Sequence, residues 1–312
     1  MDFKRLGYFA QIAEAGSLTR TAERLGIAQP SLSRQMRLLE QELGVILFTR
    51  GRRGMQLTEA GELLRARIVG PLRQIGHAVY EVRSLPTETG GSVVFGMPPT
   101  MIQILAGPLA RRVAASAPNT SLRIVDGHSG HLLEWMRRGE LDGAILYGPT
   151  PAGVNATKLI EDELVLVGPP GAPIADEETV DFSALGEVPL ILPSPTHGLR
   201  VALETAATKA RTKLNVTHQA DSYHLMRELV ESGLGYTALP LIAVSREVEQ
   251  GRLTFSHIVN PVAKRQLFLA MQSASESPRA VLQVEDYVRE EVATLVREGR
   301  WVGARIFGVG DS

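Results

Sequence analysis

Between Ile27 and Glu40 the chain reads IAQPSLSRQMRLLE, and its polar residues are of the kinds that read nucleic acid. At helical spacing Gln29, Ser31, Ser33, Arg34 and Arg37 gather on one side, and Leu32, Met36 and Leu39 on the other. Arginine reaches guanine through two hydrogen bonds, glutamine does the same with adenine, and serine hydroxyls hold phosphates or bases. No acid balances the two arginines before Glu40. On a lone helix such a face is more often simply a solvated polar surface. A second basic cluster follows in FTRGRRGMQLTEAG, Phe48 to Gly61, where Arg50, Arg52 and Arg53 crowd around Gly51 and Gly54. A tight loop of this kind suits a phosphate backbone or a minor groove, with affinity that falls as salt rises.

Signals for catalysis are missing. The seven histidines show no HExxH spacing, and there is no GxSxG elbow, no GxxxxGKS/T and no GxGxxG after a strand. His128 and His131 are three apart, with no ligating acid nearby. With no cysteine in the chain, disulfides and thiolate metal sites are excluded. We therefore assign no catalytic residue, no metal and no cofactor, and do not read the chain as an enzyme.

The elements that must hold the basic face are short helices. Ser17 suits the N-cap of LTRTAERL, in which Leu18, Ala22 and Leu25 recur at helical spacing, and Gly26 suits the left-handed residue that ends it. Pro30 opens the next helix, where a missing N–H is harmless, and Leu32, Met36, Leu39 and Leu43 carry it to Gly44. Helix, glycine turn, helix is the outline of a helix-turn-helix. The free face beginning at Gln29 and Pro30 is then predicted to enter the major groove of double-stranded DNA, with the Arg50–Arg53 loop on the backbone.

Thr58 can cap a long helix reaching about Leu85, with apolar residues at Leu64, Ile68, Leu72, Ile75, Val79 and Val82. That near-heptad seam suggests self-association through a paired helix, and Pro71 inside it predicts a bend or a break. PTETGGS, Pro86 to Ser92, reads as a linker. Beyond it SVVFG, LRIVD, GAILY, ELVLVG, VPLIL and LFLAMQ alternate with helical stretches such as 102–115 and 131–138. This pattern predicts α/β structure with mainly parallel strands, in two lobes given roughly 220 residues.

The 312 residues are 44% hydrophobic and 21% charged, an ordinary globular composition. Residues 1–85 carry about five more basic than acidic side chains, although the whole chain has a formal charge of −1. A basic head on a mildly acidic body is expected where one module meets a polyanion. The opening Met1-Asp2-Phe3-Lys4-Arg5 suggests no signal peptide, and no apolar run is long enough for a membrane span. A cytoplasmic protein that does not engage membrane is expected.

The stretch FAQIAEAGSLTRTAERLGIAQPSLSRQMRLLEQELGVILFTRGRRGMQLTEAG resembles the N-terminal signature of LysR-type transcriptional regulators almost without gaps. Phe9, Gly16-Ser17, Gln29-Pro30-Ser31-Leu32-Ser33, Leu47-Phe48 and Leu57-Thr58-Glu59-Ala60-Gly61 are among its pieces. DGHSGHLLEWMRRGELDGAILYG and LPSPTHGLR resemble the effector domain of the branch around nitrogen assimilation control regulators. The resemblance implies a multidomain α+β protein: a winged helix-turn-helix at 1–57, a dimerising linker helix and hinge at 58–91, and at 92–312 a two-lobed α/β domain of periplasmic-binding-protein type. With crossings near Glu161–Asp162 and Ala263–Gln266, lobe one would be 92–161 and 267–300, and lobe two 162–266. It also implies a dimer or a homotetramer, as a dimer of dimers, on DNA with interrupted palindromes, its geometry controlled by a small-molecule effector. A cytoplasmic solute-binding protein and an effector-independent regulator are the alternatives.

Ligands in open α/β sheets sit beyond the carboxyl ends of strands. GMPPTM places Thr100 and Met101 at a helix start, and PSPTHGLR places Thr196 and His197 at another, with Arg200 on its face. These residues predict a small organic anion, a carboxylate, bridging the lobes. The family resemblance adds Ser129, Tyr147, Asp221 and Tyr236 to the cleft. Each is compatible with a plainer role: Thr100 and Thr196 as N-caps, Arg200 paired with Asp221, His197 and the two tyrosines as packing residues.

Overall fold

The computed structural model describes residues 2–51, 54–84, 90–148, 153–272 and 277–307. The chain divides into two compact units, residues 1–88 with 137–140, and the remainder of 89–312.

The first unit opens with α1 (Phe3–Ala15), α2 (Leu18–Leu25) and α3 (Gln29–Leu43). Ser17 caps α2 by accepting from the Arg20 N–H at 3.3 Å, and Gly26 ends it at φ 64°. α3 has Pro30 in its first turn and ends at Gly44, φ 72°. Phe9, Ile12, Leu32, Met36, Leu39 and Leu47 form the core of the unit. Each such side chain contributes roughly 1.5–3 kcal/mol on burial. Leu43, which continues the α3 stripe in sequence, is instead 36% exposed.

The basic stretch is a hairpin, β1 (Phe48–Gly51) and β2 (Gly54–Leu57), paired from Phe48↔Leu57 to Gly51↔Gly54. Gly54 has φ 109°, and a Cβ there would sit 2.5 Å from the Gly16 carbonyl oxygen, so only glycine fits against the end of α1. Thr58 caps α4 (Glu59–Ser84) by accepting from the Gly61 N–H at 3.0 Å. α4 passes Pro71 as one helix, so of the bend or break expected there the break does not occur. Proline removes a single bond, to the carbonyl of exposed Arg67, which water can take over. Leu64, Ile68 and Leu72 pack on the core, whereas Ile75, Val79 and Val82 stay 46%, 46% and 68% exposed.

The second unit continues with β3 (Gly91–Met97), α5 (Pro99–Met101), a π turn (Ile102–Ala106) and α6 (Gly107–Ser116). The π turn loosens the helix where Pro108 has no N–H to donate. β4 (Thr120–Asp126), α7 (Ser129–Arg137), β5 (Gly143–Tyr147) and the 14-residue β6 (Asn155–Gly168) follow. Then come β7 (Thr179–Asp181), β8 (Leu190–Leu192), α8 (Gly198–Ala210), β9 (Val216–Gln219) and α9 (Tyr223–Glu231). The chain ends through β10 (Thr237–Pro240), α10 (Ser245–Glu249), β11 (Thr254–Val259), β12 (Lys264–Met271), α11 (Arg279–Arg297) and β13 (Ala304–Ile306).

β6 is the spine of both lobes. Its residues up to Glu163 pair with β12 and β13, and from Leu164 to Gly168 it pairs with β10 and β11. All of these pairings are antiparallel, while β3 with β4 and β5, β7 with β11, and β8 with β9 are parallel. The mainly parallel arrangement expected from sequence is therefore corrected to a mixed one. A strand that runs out of one lobe into the next turns its neighbours antiparallel. Lobe one packs Phe95, Met97, Leu105, Leu269 and Val288 around Trp301. Lobe two packs Leu166, Phe182, Ile191, Leu203 and Met226.

Candidate functional site

Two polar faces carry the residues of interest. On α3, Leu32, Met36 and Leu39 are buried, and Gln29, Pro30, Ser31, Arg34 and Arg37 are exposed, with Ser33 half-buried. Arg34 and Arg37 enter no hydrogen bond or ion pair among the described residues. Glu40, the nearest acid in sequence, is turned away from them: its Oε1 accepts from the backbone N–H of Leu47 at 2.8 Å and Phe48 at 3.3 Å. It holds the entry to the β1–β2 hairpin. On the opposite flank Arg5 is tied to Glu42 at 3.0 Å and to Gln35 at 3.1 Å. Arg50 lies on β1, and Arg52 and Arg53 lie outside the described residues.

The second face lies between the lobes of the larger unit. His197 caps α8: its Nδ1 accepts from the Leu199 N–H at 3.2 Å, and its Nε2 lies 3.2 Å from the Tyr147 hydroxyl. With Nδ1 an acceptor, the ring proton resides on Nε2 and is donated to Tyr147. Burial, and then neighbouring His128, push the His197 pKa down to about 4. Charging it would cost the cap bond and would set a cation on the positive end of α8. Ser129 accepts from the Tyr147 backbone N–H at 2.9 Å and so fixes the end of β5.

Behind this contact is an ion pair buried on both sides, Arg265 at the start of β12 and Asp162 on β6. Arg265 donates Nε to Asp162 Oδ1 at 2.6 Å and Nη2 to Oδ2 at 2.8 Å, and its Nη1 reaches the Thr100 hydroxyl at 3.2 Å. Trp301 donates to the same carboxylate at 3.4 Å, and the guanidinium stands 5.7 Å from the Tyr147 ring centre. Burial opposes the charge on Arg265, but the Asp162 carboxylate outweighs it and holds the guanidinium pKa above its ordinary value. The Tyr223 hydroxyl is buried near Tyr147 and Arg265, and makes no hydrogen bond of good geometry among the described residues. Burial raises the pKa of both tyrosines, so both are neutral phenols.

The predicted cleft residues therefore divide. Tyr147, His197, Ser129 and Thr100 come together, but Thr100 is 2% exposed and its hydroxyl is engaged by Arg265. Met101 is fully buried in the lobe-one core. Thr196 is exposed beside His197. Asp221 accepts from the Ser194 N–H at 2.8 Å, which keeps its pKa below the ordinary carboxylate value. Arg200 pairs with Glu204 one turn along α8 at 2.7 Å, not with Asp221. Four residues away on a helix, Glu204 is a nearer partner than any loop carboxylate. Tyr236 packs its ring on Gly168 at the far end of β6, away from this cluster. Sequence reasoning missed Arg265, Asp162 and Tyr223, and noticed His128 only as a poor metal ligand. Its ring lies 5.1 Å from that of His197. Among the described residues no group of acids and histidines could hold a metal, and no helix is long and apolar enough to cross a membrane.

Residues 3–62 match the model of the bacterial regulatory helix-turn-helix protein, lysR family, and residues 86–293 match the LysR substrate binding domain. HTH-type transcriptional regulator BbuR of Bordetella bronchiseptica is 30% identical over 304 residues, 97% of this chain and 94% of that protein. The nitrogen assimilation regulatory protein nac of Escherichia coli is 31% identical, over 96% of this chain and 98% of its own. Full-length OxyR from Pseudomonas aeruginosa, in a variant form, superposes with a TM-score of 0.73 at 23% identity, covering 100% and 99% of the two chains. Full-length CbnR complexed with its target DNA gives 0.68 at 21% identity, covering 93% and 100%. At those identities the two structures establish a shared fold.

Proposed function

The chain belongs to the LysR family of DNA-binding transcriptional regulators, and from that premise we propose how its two polar faces divide the work. The exposed side of α3 enters the major groove. Arg34 and Arg37 reach bases or phosphates, Gln29 and Ser31 contact the groove edge, and the β1–β2 hairpin carrying Arg50, Arg52 and Arg53 follows the backbone. One observation carries this reading: the apolar side of α3 is buried while its two arginines have no partner in the described protein. Four exposed polar residues on one helix, held rigidly by the core beneath them, are preorganised for a groove.

The larger unit acts as the effector domain. A small organic anion between its lobes would loosen or replace the Tyr147–His197 contact, change the spacing of the lobes, and pass that change to the DNA through the oligomer. The open apolar stripe Ile75, Val79 and Val82 on α4 supports pairing of two chains, and a dimer of dimers would span an interrupted palindrome. Such a protein works in the cytoplasm with the DNA. The internal engagement of both Arg200 and Arg265 supports a second reading, a regulator that needs no effector.

Band retardation on an upstream intergenic fragment at two salt concentrations tests the DNA reading. Affinity is expected to fall steeply with salt. Arg34→Ala is expected to relax base selectivity by roughly 1–3 kcal/mol, and Arg52→Ala to weaken all sequences alike. Equal, non-selective losses from the two variants would remove Arg34 from base reading. Thermal-shift measurements with a panel of carboxylates separate an effector-controlled regulator from an effector-free one.

A further inference from the structure

We propose that the trough along α8 binds an elongated amphipathic anion, such as a medium-chain carboxylate, with the carboxylate on Lys209 and the apolar chain lying toward Gly198. This rests on the reading of the larger unit as an effector domain, and it names the place and the ligand class. One stripe of α8, Gly198, Val201, Ala202, Thr205 and Lys209, faces a cavity of about 340 Å³ whose other wall is Glu161, Val262, Lys264, Arg265 and Gln266. From Gly198 to Lys209 the helix advances about 16 Å. A cavity lined over that length suits an extended chain.

The channel has apolar side chains on both walls, with Lys209 toward the end of α8 and Glu161, Lys264 and Arg265 along the strand wall. Val201 and Val262 are each 39% exposed, large hydrophobic side chains left open on facing walls. Thr205 donates its hydroxyl to the Val201 carbonyl at 2.8 Å and has no proton left for a ligand. Covering this surface with a hydrocarbon chain is favourable. Lys264 is held by Glu161 at 3.1 Å and Glu163 at 3.9 Å. Lys209 enters no hydrogen bond or ion pair among the described residues. The trough thus supplies a cation beside open space that is uncommitted among the described residues, whereas Arg200 is held by Glu204 through Nε and Nη2 and only its buried Nη1 is left without a partner. Its walls also belong to different elements of the domain. α8 packs in the lobe-two core, while Lys264 and Gln266 lie where β12 pairs with Glu163 and Glu161 of β6, at the crossing between the lobes, so an occupant would brace α8 against that crossing.

The test is calorimetric titration of the full chain with decanoate below its micellar range, with succinate as a short, doubly charged control. Decanoate is expected to bind, succinate to bind at least about tenfold more weakly, and Lys209→Glu to weaken decanoate by about tenfold or more. Ala202→Trp, which fills the channel, should abolish binding. Because Lys209 is exposed, Lys209→Glu should leave DNA retardation without ligand unchanged, which checks that the variant is folded. Failure of decanoate to bind, or equal affinity in both variants, overturns the proposal. Should a short carboxylate bind, lose affinity in His197→Asn and ignore Lys209→Glu, the trough is refuted while effector control stands. Should decanoate bind in the trough yet leave DNA affinity and bending unchanged, the ligand site stands and effector control fails.

Discussion

The exposed face of α3 and the cluster between the lobes are built from similar residue types, yet the fold treats them oppositely. On α3 the cations project outward, and the nearest acid, Glu40, is spent on the backbone of Leu47 and Phe48. Between the lobes the cation Arg265 is bound in bidentate fashion by Asp162, and the predicted anion partner Arg200 is taken by Glu204. A polar face held by local helix geometry stays available to a partner. A polar face made where distant segments converge pairs its charges internally, because a buried unpaired charge is expensive, although the Tyr223 hydroxyl, His128 Nδ1 and Arg200 Nη1 have no hydrogen-bond partner among the described residues. That difference suits a permanent reader of DNA on one side and an adjustable contact on the other.

The largest effect should come from breaking the buried pair. Asp162→Ala leaves Arg265 charged and unmatched and is expected to cost about 3–5 kcal/mol in urea unfolding, whereas Arg265→Met with Asp162→Leu should lose far less. A double variant as unstable as the single one would mean that the pair is worth more than its own compensation. On α3, Leu32→Ala should cost about 2–5 kcal/mol of stability, and Arg34→Ala no more than about 0.5 kcal/mol. A destabilising Arg34→Ala would show that this face is not free. The loss of base selectivity expected from Arg34→Ala, roughly 1–3 kcal/mol, is next in size.

The last effect is a pH dependence, confined to acid solution. The folded pKa of His197, about 4, lies below the unfolded value of about 6.5, so the unfolded chain takes up the extra proton between them. Stability should therefore rise with pH across that window and fall as the solution is acidified from about 6.5 to 4. His197→Asn, which keeps a capping acceptor but does not titrate there, should flatten that part of the urea-midpoint profile. An unchanged profile would remove His197 as its source.

Local rules made much of the first unit legible in advance. Ser17, Gly26, Pro30 and Gly44 delimit α2 and α3 where their backbone chemistry demands, and Leu32, Met36 and Leu39 are buried as a four-and-three spacing requires. The same reasoning located β3 and β5, which are apolar and continuous. It did not see β9, VTHQ, which is largely exposed and polar, and it began β6 eight residues late because NATKLIED reads as surface. Arg265 and Asp162 were illegible for a different reason. They are 103 positions apart, and each alone looks like an ordinary surface charge.

Sequence periodicity by itself determined which side of α3 is apolar and where the helices around it begin and end, because those properties depend on neighbours within one or two turns. Only the tertiary structure decided which polar groups would find each other across the lobes, pairing Arg200 and Arg265 and leaving Lys209 without a partner among the described residues. Hydrogen bonds and ion pairs fall off within a few ångströms, so their partners are set by the path of the whole chain.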